Sequence, residues 1–374
     1  MSERQSILCM SHIRGLGSKR IASILKHLGA KGWWSCTYQD LLAIPGIGEE
    51  FARTIICKRD SLDPIKIEQS LRTQGIHFLL PSDRGYPAAF HALPESPSYV
   101  FVKGEILEQD RMAIAIVGTR KPTYYGLKAA QYLGQQAAES GIAVISGLAR
   151  GIDRMAHEAA LANKGRTIAV LAHGLDQIYP SEHAKLADKI MENGALLSEF
   201  PPGMPARPQH FTARNRWISG LSLCTIVVEA GAKSGALITA QFALEQGKDV
   251  LAVPGSIFDG ASVGTNTLLF EGATPVRSFA DVMDVIQGMQ WIGQSRLEGS
   301  DRIGFMDTQE KLSEPCAPEQ RKILSLLSST GITVEELLNC MPERSLSELH
   351  LQMLQLELDG YIIRKGERIY PARI

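Results

Sequence analysis

The stretch that decides the fold is residues 112–146, MAIAIVGTRKPTYYGLKAAQYLGQQAAESGIAVIS, which has the pattern of a strand, a tight turn, a helix and a second strand. Its continuous apolar runs are typical of strands that are buried on both faces. More such runs follow at 167–172, 195–198, 224–228 and 249–253, separated by helical patterns at 153–162, 183–193 and 235–246. Alternating strands and helices predict an α/β fold with a parallel, Rossmann-like sheet.

The first 70 residues predict a separate helical domain of the helix-hairpin-helix (SAM-like) type. Residues 13–22 resemble residues 44–52, because each segment has an apolar residue, a Gly-x-Gly turn and a helical pattern. The free amides at such a helix start can bind phosphate, or the glycines can simply cap a structural hairpin. Lys19 and Arg20 leave both options open for the first copy, whereas Glu49 and Glu50 favour a structural role for the second.

The remaining segments complete a four-part layout. Residues 71–110 predict a proline-rich connector that covers an edge of the sheet, so that the extended Rossmann-like domain covers 71–290. A polar linker at 291–315 leads to residues 316–374. There, helices at 318–328, 334–341 and 345–359 and a final hairpin at 361–371 predict a winged helix. Its third helix, at 345–359, has no Lys or Arg and three acids, which favours packing or protein contacts over reading duplex DNA.

Composition narrows the class of protein. Of 374 residues, 44% are hydrophobic and 21% are charged, which is typical of soluble globular proteins. We expect a cytoplasmic protein without a membrane segment, because no apolar run approaches about 20 residues and the first residues lack a signal-peptide core. The six cysteines form no CxxC pair, which argues against a zinc site. The net charge of −1 hides two stretches without acids, 111–138 and 201–228.

Two turns predict phosphate-binding sites. The first contains Arg120 and Lys121 where a strand gives way to a helix. With one glycine instead of G-x-G-x-x-G, this turn predicts no nicotinamide or flavin cofactor. The second turn contains Ser146, Gly147, Arg150 and Gly151, and its amides and arginine are suited to an anion, with Asp153 as the expected helix N-cap.

A third segment, residues 207–216, predicts a loop that binds single-stranded DNA. Its cations would contact phosphates, while Phe211 would stack on a base. A further anion site is expected at Ser234 and Gly235, where the helix predicted at 235–246 begins. The predicted binding residues in these two segments are Arg207, Phe211, Arg214, Asn215, Arg216, Ser234 and Gly235.

Acid–base chemistry is the alternative at two positions. Asp153 and His157 are spaced to form a general-base pair, although a simple hydrogen bond on the helix surface is favoured. Glu229 is also a candidate acid or base, but no second carboxylate accompanies it in a motif. We therefore favour a role in anchoring the backbone of neighbouring loops.

Five motifs together resemble the DNA-processing protein DprA (Smf) family over roughly 75–290. They are Ser146–Asp153, Gly174-Leu175-Asp176 with Tyr179-Pro180, Arg214-Asn215-Arg216, Ser234–Ala240 and Val253-Pro254-Gly255. The resemblance implies a cytoplasmic homodimer that protects incoming single-stranded DNA during natural transformation and loads the RecA recombinase. It also implies DNA contacts by Arg120, Gly147, Arg150, Phe211, Arg214 and Arg216. Where family members carry a lysine before the aromatic residue, this chain has Arg207 and Pro208 in the neighbourhood. An apolar patch near 268–270 is the expected dimer interface.

Two other functions compete with DNA binding. The fold also resembles the LOG-type phosphoribohydrolases, which carry P-G-G-x-G-T-x-x-E with a catalytic glutamate. The corresponding segment 229–239 lacks the double glycine and the acid on the helix start, so we expect no enzyme. An adaptor that binds recombinase through the tail is the third possibility.

Overall fold

A computed structural model describes residues 2–297 and, in the C-terminal part, residues 323, 326, 332–341, 349, 352–353, 356, 362–365 and 368–371. The chain forms two compact units, Met1–Glu298 and Gly299–Ile374. In the described part of the chain, no helix is both long enough and apolar enough to span a membrane.

The first unit is built on a nine-stranded sheet in the order β1-β2-β6-β5-β4-β3-β7-β8-β9. Strands β3 to β9 are parallel, and β1 and β2 extend one edge in antiparallel pairing. The strands are His77–Leu79, Val100–Gly104, Ala113–Val117, Ala143–Ser146, Thr167–Leu171, Gly194–Ser198, Thr225–Val227, Val250–Ala252 and Thr274–Pro275. The six strands predicted from apolar runs are confirmed to within one residue at each end.

The segment 71–110 lies at an edge of the sheet, as predicted, but part of it is strand rather than connector. Val100, Phe101 and Val102 are buried, and β2 pairs with β6. The apolar run at 100–102 is short and closely follows Pro94 and Pro97, so the sequence pattern did not reveal this strand. The predicted start of the linker, at 291, is too early, because the last helix of this unit runs to Leu297.

Helices cover both faces of the sheet. On one face pack α6 (Tyr124–Glu139), α7 (Ile152–Ala162) and α12 (Phe279–Leu297). On the other pack α9 (Pro208–Leu221), α10 (Gly235–Glu245) and α11 (Val263–Phe270). A third apolar cluster joins α8 (Ala184–Glu192) and the sheet to the N-terminal helices. The parallel strands β3 to β9 have their carboxyl ends at the same edge of the sheet. Strands β4 to β6 lie on one side of β3 and strands β7 to β9 on the other, so the strand order reverses between β3 and β7. A ligand crevice is expected at such a switch point.

The N-terminal helices are α1 (Glu3–Ser11), α2 (Ser18–Ser35), α3 (Tyr38–Leu42), α4 (Glu49–Arg59) and α5 (Pro64–Thr73). The two repeated hairpins share one geometry: Gly15 and Gly46 have φ of +90° and +83°, and Gly17 and Gly48 are the next helix N-caps. The cations of the first copy have protein partners. Lys19 pairs with Glu95 at 2.7 Å, and the Arg20 guanidinium lies 4.8 Å from the Phe51 ring centroid.

The described part of the second unit contains α13 (Val334–Cys340) and a sheet in the order β10-β12-β11. Its strands are Ile332–Thr333, Ile362–Lys365 and Arg368–Pro371, all antiparallel. The helix predicted at 334–341 and the terminal hairpin are confirmed. The winged helix stays a prediction, because most of the helices predicted at 318–328 and 345–359 lies outside the described residues.

A buried histidine makes the stability of the first unit sensitive to acid. The hydroxyl of Thr167 donates to Val144 O (2.7 Å), so it accepts from His157 Nδ1 (2.6 Å). Among the described residues, His157 Nε2 has no hydrogen-bond partner. Burial, together with the neighbouring His183 and Arg214, lowers the pKa of His157 from 6.5 to about 3. The folded chain therefore keeps this ring neutral.

We expect His157→Gln to reduce the dependence of stability on pH. Between the two pKa values only the unfolded chain binds a proton at His157, so this residue lowers the free energy of unfolding as the pH falls. The difference in that free energy between wild type and variant should change by about 2 kcal/mol between about pH 7 and about pH 4.5. Urea unfolding at both pH values measures it, and an unchanged difference contradicts the assignment.

Candidate nucleic-acid interface

A cleft of about 790 Å³ opens at the carboxyl ends of the parallel strands, beside the point where the strand order reverses. Its walls come from the turn after β3, the turn after β4, the first half of α9 and the segment 231–239 at the start of α10. These are the segments in which the sequence predicted phosphate and base contacts. The topology therefore brings the separate predicted segments to one place.

The turn after β3 is held by Glu229. The buried Glu229 carboxylate accepts hydrogen bonds from the Thr123 amide (2.8 Å) and the Thr123 hydroxyl (2.6 Å), while Thr119 N donates to Glu229 O (2.7 Å). A side chain at Gly118 would overlap Ile152 and Glu229 O. Glu229 thus anchors a loop, as interpreted from the sequence. Arg120 and Lys121 lie between these fixed points and are exposed.

Residues 207–216 form a helix, and the predicted loop was wrong. Arg207 is the N-cap of α9, and Pro208 occupies the first turn, where its missing N–H costs nothing. The helix continues because Trp217, Ile218 and Leu221 pack into the core beneath it. The local composition of residues 205–216, with its prolines, cations and polar residues, favours a loop, and only the apolar residues that follow show the helical face.

The buried cation of this helix is Arg214, which is only 3% exposed. Its Nη1 donates to Gly147 O (2.7 Å) and also to Val170 O, so it links α9 to the ends of β4 and β5. A Cβ at Gly147 would lie 2.4 Å from this guanidinium, which explains the glycine. Burial lowers the pKa of Arg214 to about 10, although the negative charge of Asp153 acts in the opposite direction and raises it. Arg214 remains a cation at neutral pH, but it faces the protein.

The sequence predicted Asp153 as the N-cap of α7, and this prediction is wrong. The cap is Gly151 with φ of +81°, and the Asp153 carboxylate accepts from Gly147 N (3.1 Å) and Ala149 N (3.4 Å). Burial raises the pKa of Asp153, while Arg214 and these two amides oppose that change. The favoured Asp153–His157 hydrogen bond on the helix surface is wrong, and so is the alternative of a general-base pair. Both residues are buried, and His157 Nδ1 bonds to the Thr167 hydroxyl instead.

Three further predicted contacts are engaged within the protein. The Ser146 hydroxyl is buried and donates to Ile116 O (2.6 Å). Arg216 pairs with Glu199 at 2.9 Å and stacks on Trp217, and Arg150 pairs with Glu182 at 2.6 Å while remaining exposed. Charge counting along the sequence could not identify these acids, since they come from distant segments.

Cations and rings remain at the mouth of the cleft. The Arg120 guanidinium lies 5.2 Å from the Phe211 ring centroid, and the Tyr179 ring meets Phe211 edge-on at 5.8 Å. Lys121, Arg207 and Lys233 form no ion pair with any residue that the structure describes.

The far wall of the cleft is the start of α10. Ser234 caps this helix by accepting from Ala236 N (3.3 Å), and Gly235 is exposed with open space beside its Cα. Asn215 Nδ2 donates to Gly235 O (3.1 Å) and so fastens α9 to this wall. Lys233 and Tyr179 line the cleft but were not among the predicted binding residues. Both residues follow a predicted parallel strand, and this position in the sequence could have indicated that they lie at the cleft.

The fold and the site define a class: Rossmann-like α/β proteins with a cationic, aromatic cleft at the switch point of the sheet. Within that class, the chain belongs to the DNA recombination-mediator protein A family, whose sequence profile matches residues 77–287. It is 30% identical to Protein Smf of Synechocystis over 396 aligned residues, which covers 100% of this chain and 99% of that protein.

Two solved structures have the same fold. DNA processing protein A (DprA) of Streptococcus pneumoniae matches with a TM-score of 0.65 and 33% identity, covering 76% of this chain and 98% of that one. DNA processing protein A of Helicobacter pylori, described with a single-stranded DNA binding mode, matches with a TM-score of 0.52 and 30% identity. That match covers 57% of this chain and 96% of the other.

We expect Arg214→Met to destabilise the first unit by about 2–4 kcal/mol, because it leaves two buried carbonyls without a donor and Asp153 without its cation. Arg120→Met is the matched control, since it removes an exposed guanidinium and should change the free energy of unfolding by less than about 0.5 kcal/mol. Urea unfolding of both variants measures the difference. Equal stabilities would contradict the structural role of Arg214.

Proposed function

We propose that this protein binds single-stranded DNA in the cleft between the Arg120 turn and α9. The observation that carries the proposal is the half-buried Phe211 ring, held between Arg120 and Tyr179 at the mouth. An aromatic face beside cations suits an unpaired base and its phosphate, and such stacking contributes about 1–3 kcal/mol per base. A base inside a duplex offers no free face for this contact.

Charge distribution supports the same ligand. Asp153 is the one acidic residue that lines the cleft in the described part of the chain, and it is buried against backbone amides. The cleft is also lined by Arg120, Lys121 and Lys233, which are exposed and form no ion pair among the described residues. The likeness to the H. pylori protein, whose structure is described with a single-stranded DNA binding mode, supports the same ligand class.

The structure also refines which residues we propose to touch DNA. Direct contacts are assigned to Arg120, Lys121, Arg207, Phe211 and the cap residues Ser234 and Gly235. Ser146, Gly147, Gly151 and Arg214 are assigned to shaping the floor, because they are buried or engaged with backbone. Arg150, Asn215 and Arg216 would contact DNA only while keeping their present protein partners.

We further propose that the protein acts by binding in the cytoplasm, protecting incoming strands during transformation and delivering them to the RecA recombinase. The description of its family as recombination mediators supports this role. The rival, a LOG-type phosphoribohydrolase, needs a glutamate that faces its substrate. Glu229 instead accepts two hydrogen bonds from Thr123 and lies outside the cleft lining, which favours binding over catalysis.

A homodimer is also part of the proposal, and the surface that supports it is the end of α11. Of the patch expected at 268–270, Leu268 is buried in the core, whereas Phe270 is 93% exposed beside the edge strand β9. A second copy of the chain would cover this ring, and burying a phenylalanine contributes about 1.5–3 kcal/mol.

The decisive experiment is a titration of fluorescent oligo-dT at several salt concentrations. Arg120→Glu should weaken binding strongly and flatten the salt dependence, because it removes a phosphate contact and adds a negative charge. Phe211→Ala should weaken binding by about 10-fold or more through lost stacking.

Two controls accompany this titration. Lys189→Glu makes the same charge change at an exposed position on α8, remote from the cleft, and should leave the affinity unchanged. A duplex of the same length should bind more weakly than the single strand. Equal affinity for duplex and single strand, or unchanged affinity in both cleft variants, would refute the proposed function.

For the dimer, we expect Phe270→Glu to shift the mass measured by light scattering from two chains to one, since it places a charge in an apolar contact. Phe258→Glu is the matched control, because Phe258 is equally exposed but lies in the loop before α11. Persistence of the dimer in the Phe270 variant would exclude this surface.

A further inference from the structure

A row of exposed rings and a lysine runs along the outer face of α6, directly after the Arg120 turn. Tyr124 is 76% exposed and Tyr132 is 44% exposed, with Lys128 between them. Positions four residues apart lie on the same side of a helix. The buried residues of α6, such as Ala130, Leu133 and Ala137, lie on the opposite side against the sheet and α7. The exposed parts of the Tyr124 and Tyr132 rings therefore lie on the side of α6 that faces away from the core.

The chemistry of this face resembles that of the cleft. The Lys128 ammonium lies 5.7 Å from the centroid of the Tyr124 ring. No Asp or Glu occurs between 112 and 138, so the first acid of the helix is its last residue, Glu139. Tyr125, the next residue of the helix, is also half exposed, and its hydroxyl donates to Pro254 O (2.8 Å).

We propose that this α6 face is a second binding segment for single-stranded DNA, which receives the strand as it leaves the cleft. The proposal rests on the proposed function of the cleft. The turn that carries Arg120 and Lys121 leads through Thr123 into the first residue of α6, so the two surfaces are continuous. Tyr124 and Tyr132 are about 12 Å apart along the helix at a rise of 1.5 Å per residue. That length accommodates two or more nucleotides, whose spacing is at least about 3.4 Å.

Charge and shape favour a nucleic acid strand over another occupant. Exposed ring faces accept successive bases without regard to sequence, and a lysine among them neutralises a phosphate. A duplex keeps its base faces stacked and cannot use these rings. The tyrosine hydroxyls fix the rings rather than read bases, as Tyr132 Oη accepts from Phe279 N (3.2 Å) and Tyr125 Oη donates to Pro254 O.

The test compares a short oligo-dT of about six nucleotides with a long one of about thirty, which bracket the footprint of common single-strand sites. Tyr124→Ala combined with Lys128→Glu should weaken binding of the long strand by about fivefold or more and leave the short strand within about twofold. Tyr124→Trp keeps a stacking face and should keep the long-strand affinity. Lys189→Glu again controls for a change of net charge.

The outcomes separate this inference from the function of the cleft. Equal binding of long strands by wild type and the α6 variant, or an equal loss for both lengths, would overturn the second segment while leaving the cleft intact. Arg120→Glu should weaken both lengths together. Failure of the wild type to bind either strand would overturn the proposed function and the α6 inference with it.

Discussion

The shape of the cleft depends on one buried cation. The Arg214 guanidinium is withdrawn from water and holds the carbonyls of Gly147 and Val170, while the charge of Asp153 lies close by. Burying a cation is unfavourable unless hydrogen-bond acceptors and an opposite charge accompany it, so these groups must keep their places together. As a result α9, the turn after β4 and the end of β5 are linked, and Phe211 is positioned on the surface above them.

A second anchor works on the opposite wall in the same way. Glu229, at the end of β7, takes both donors of Thr123 and thereby sets the turn that presents Arg120 and Lys121. Arg214 and Glu229 both use their charged groups to hold loops in place, whereas other cations of the site face solvent. This division separates residues that shape the site from residues that contact a ligand, although both kinds occur in the same motifs.

Local patterns predicted the sheet well because a strand buried on both faces must be apolar throughout. They failed at β2, where a three-residue apolar run closely follows two prolines, and at 207–216, where a helix start rich in cations and prolines has the composition of a loop. In both places packing against distant strands decides the conformation. Apolar content alone could not show that contact.

The sequence by itself determined the α/β architecture, the turns after β3 and β4, and the presence of cations with an aromatic residue in one region. Only the tertiary structure decided which cations remain available. Arg214, Arg216 and Arg150 meet partners that are distant in the chain, whereas Arg120 and Lys121 meet none among the described acids. The physical reason is that a charge's partner is set by distance in space, and parallel strands bring together segments separated by 30 residues or more.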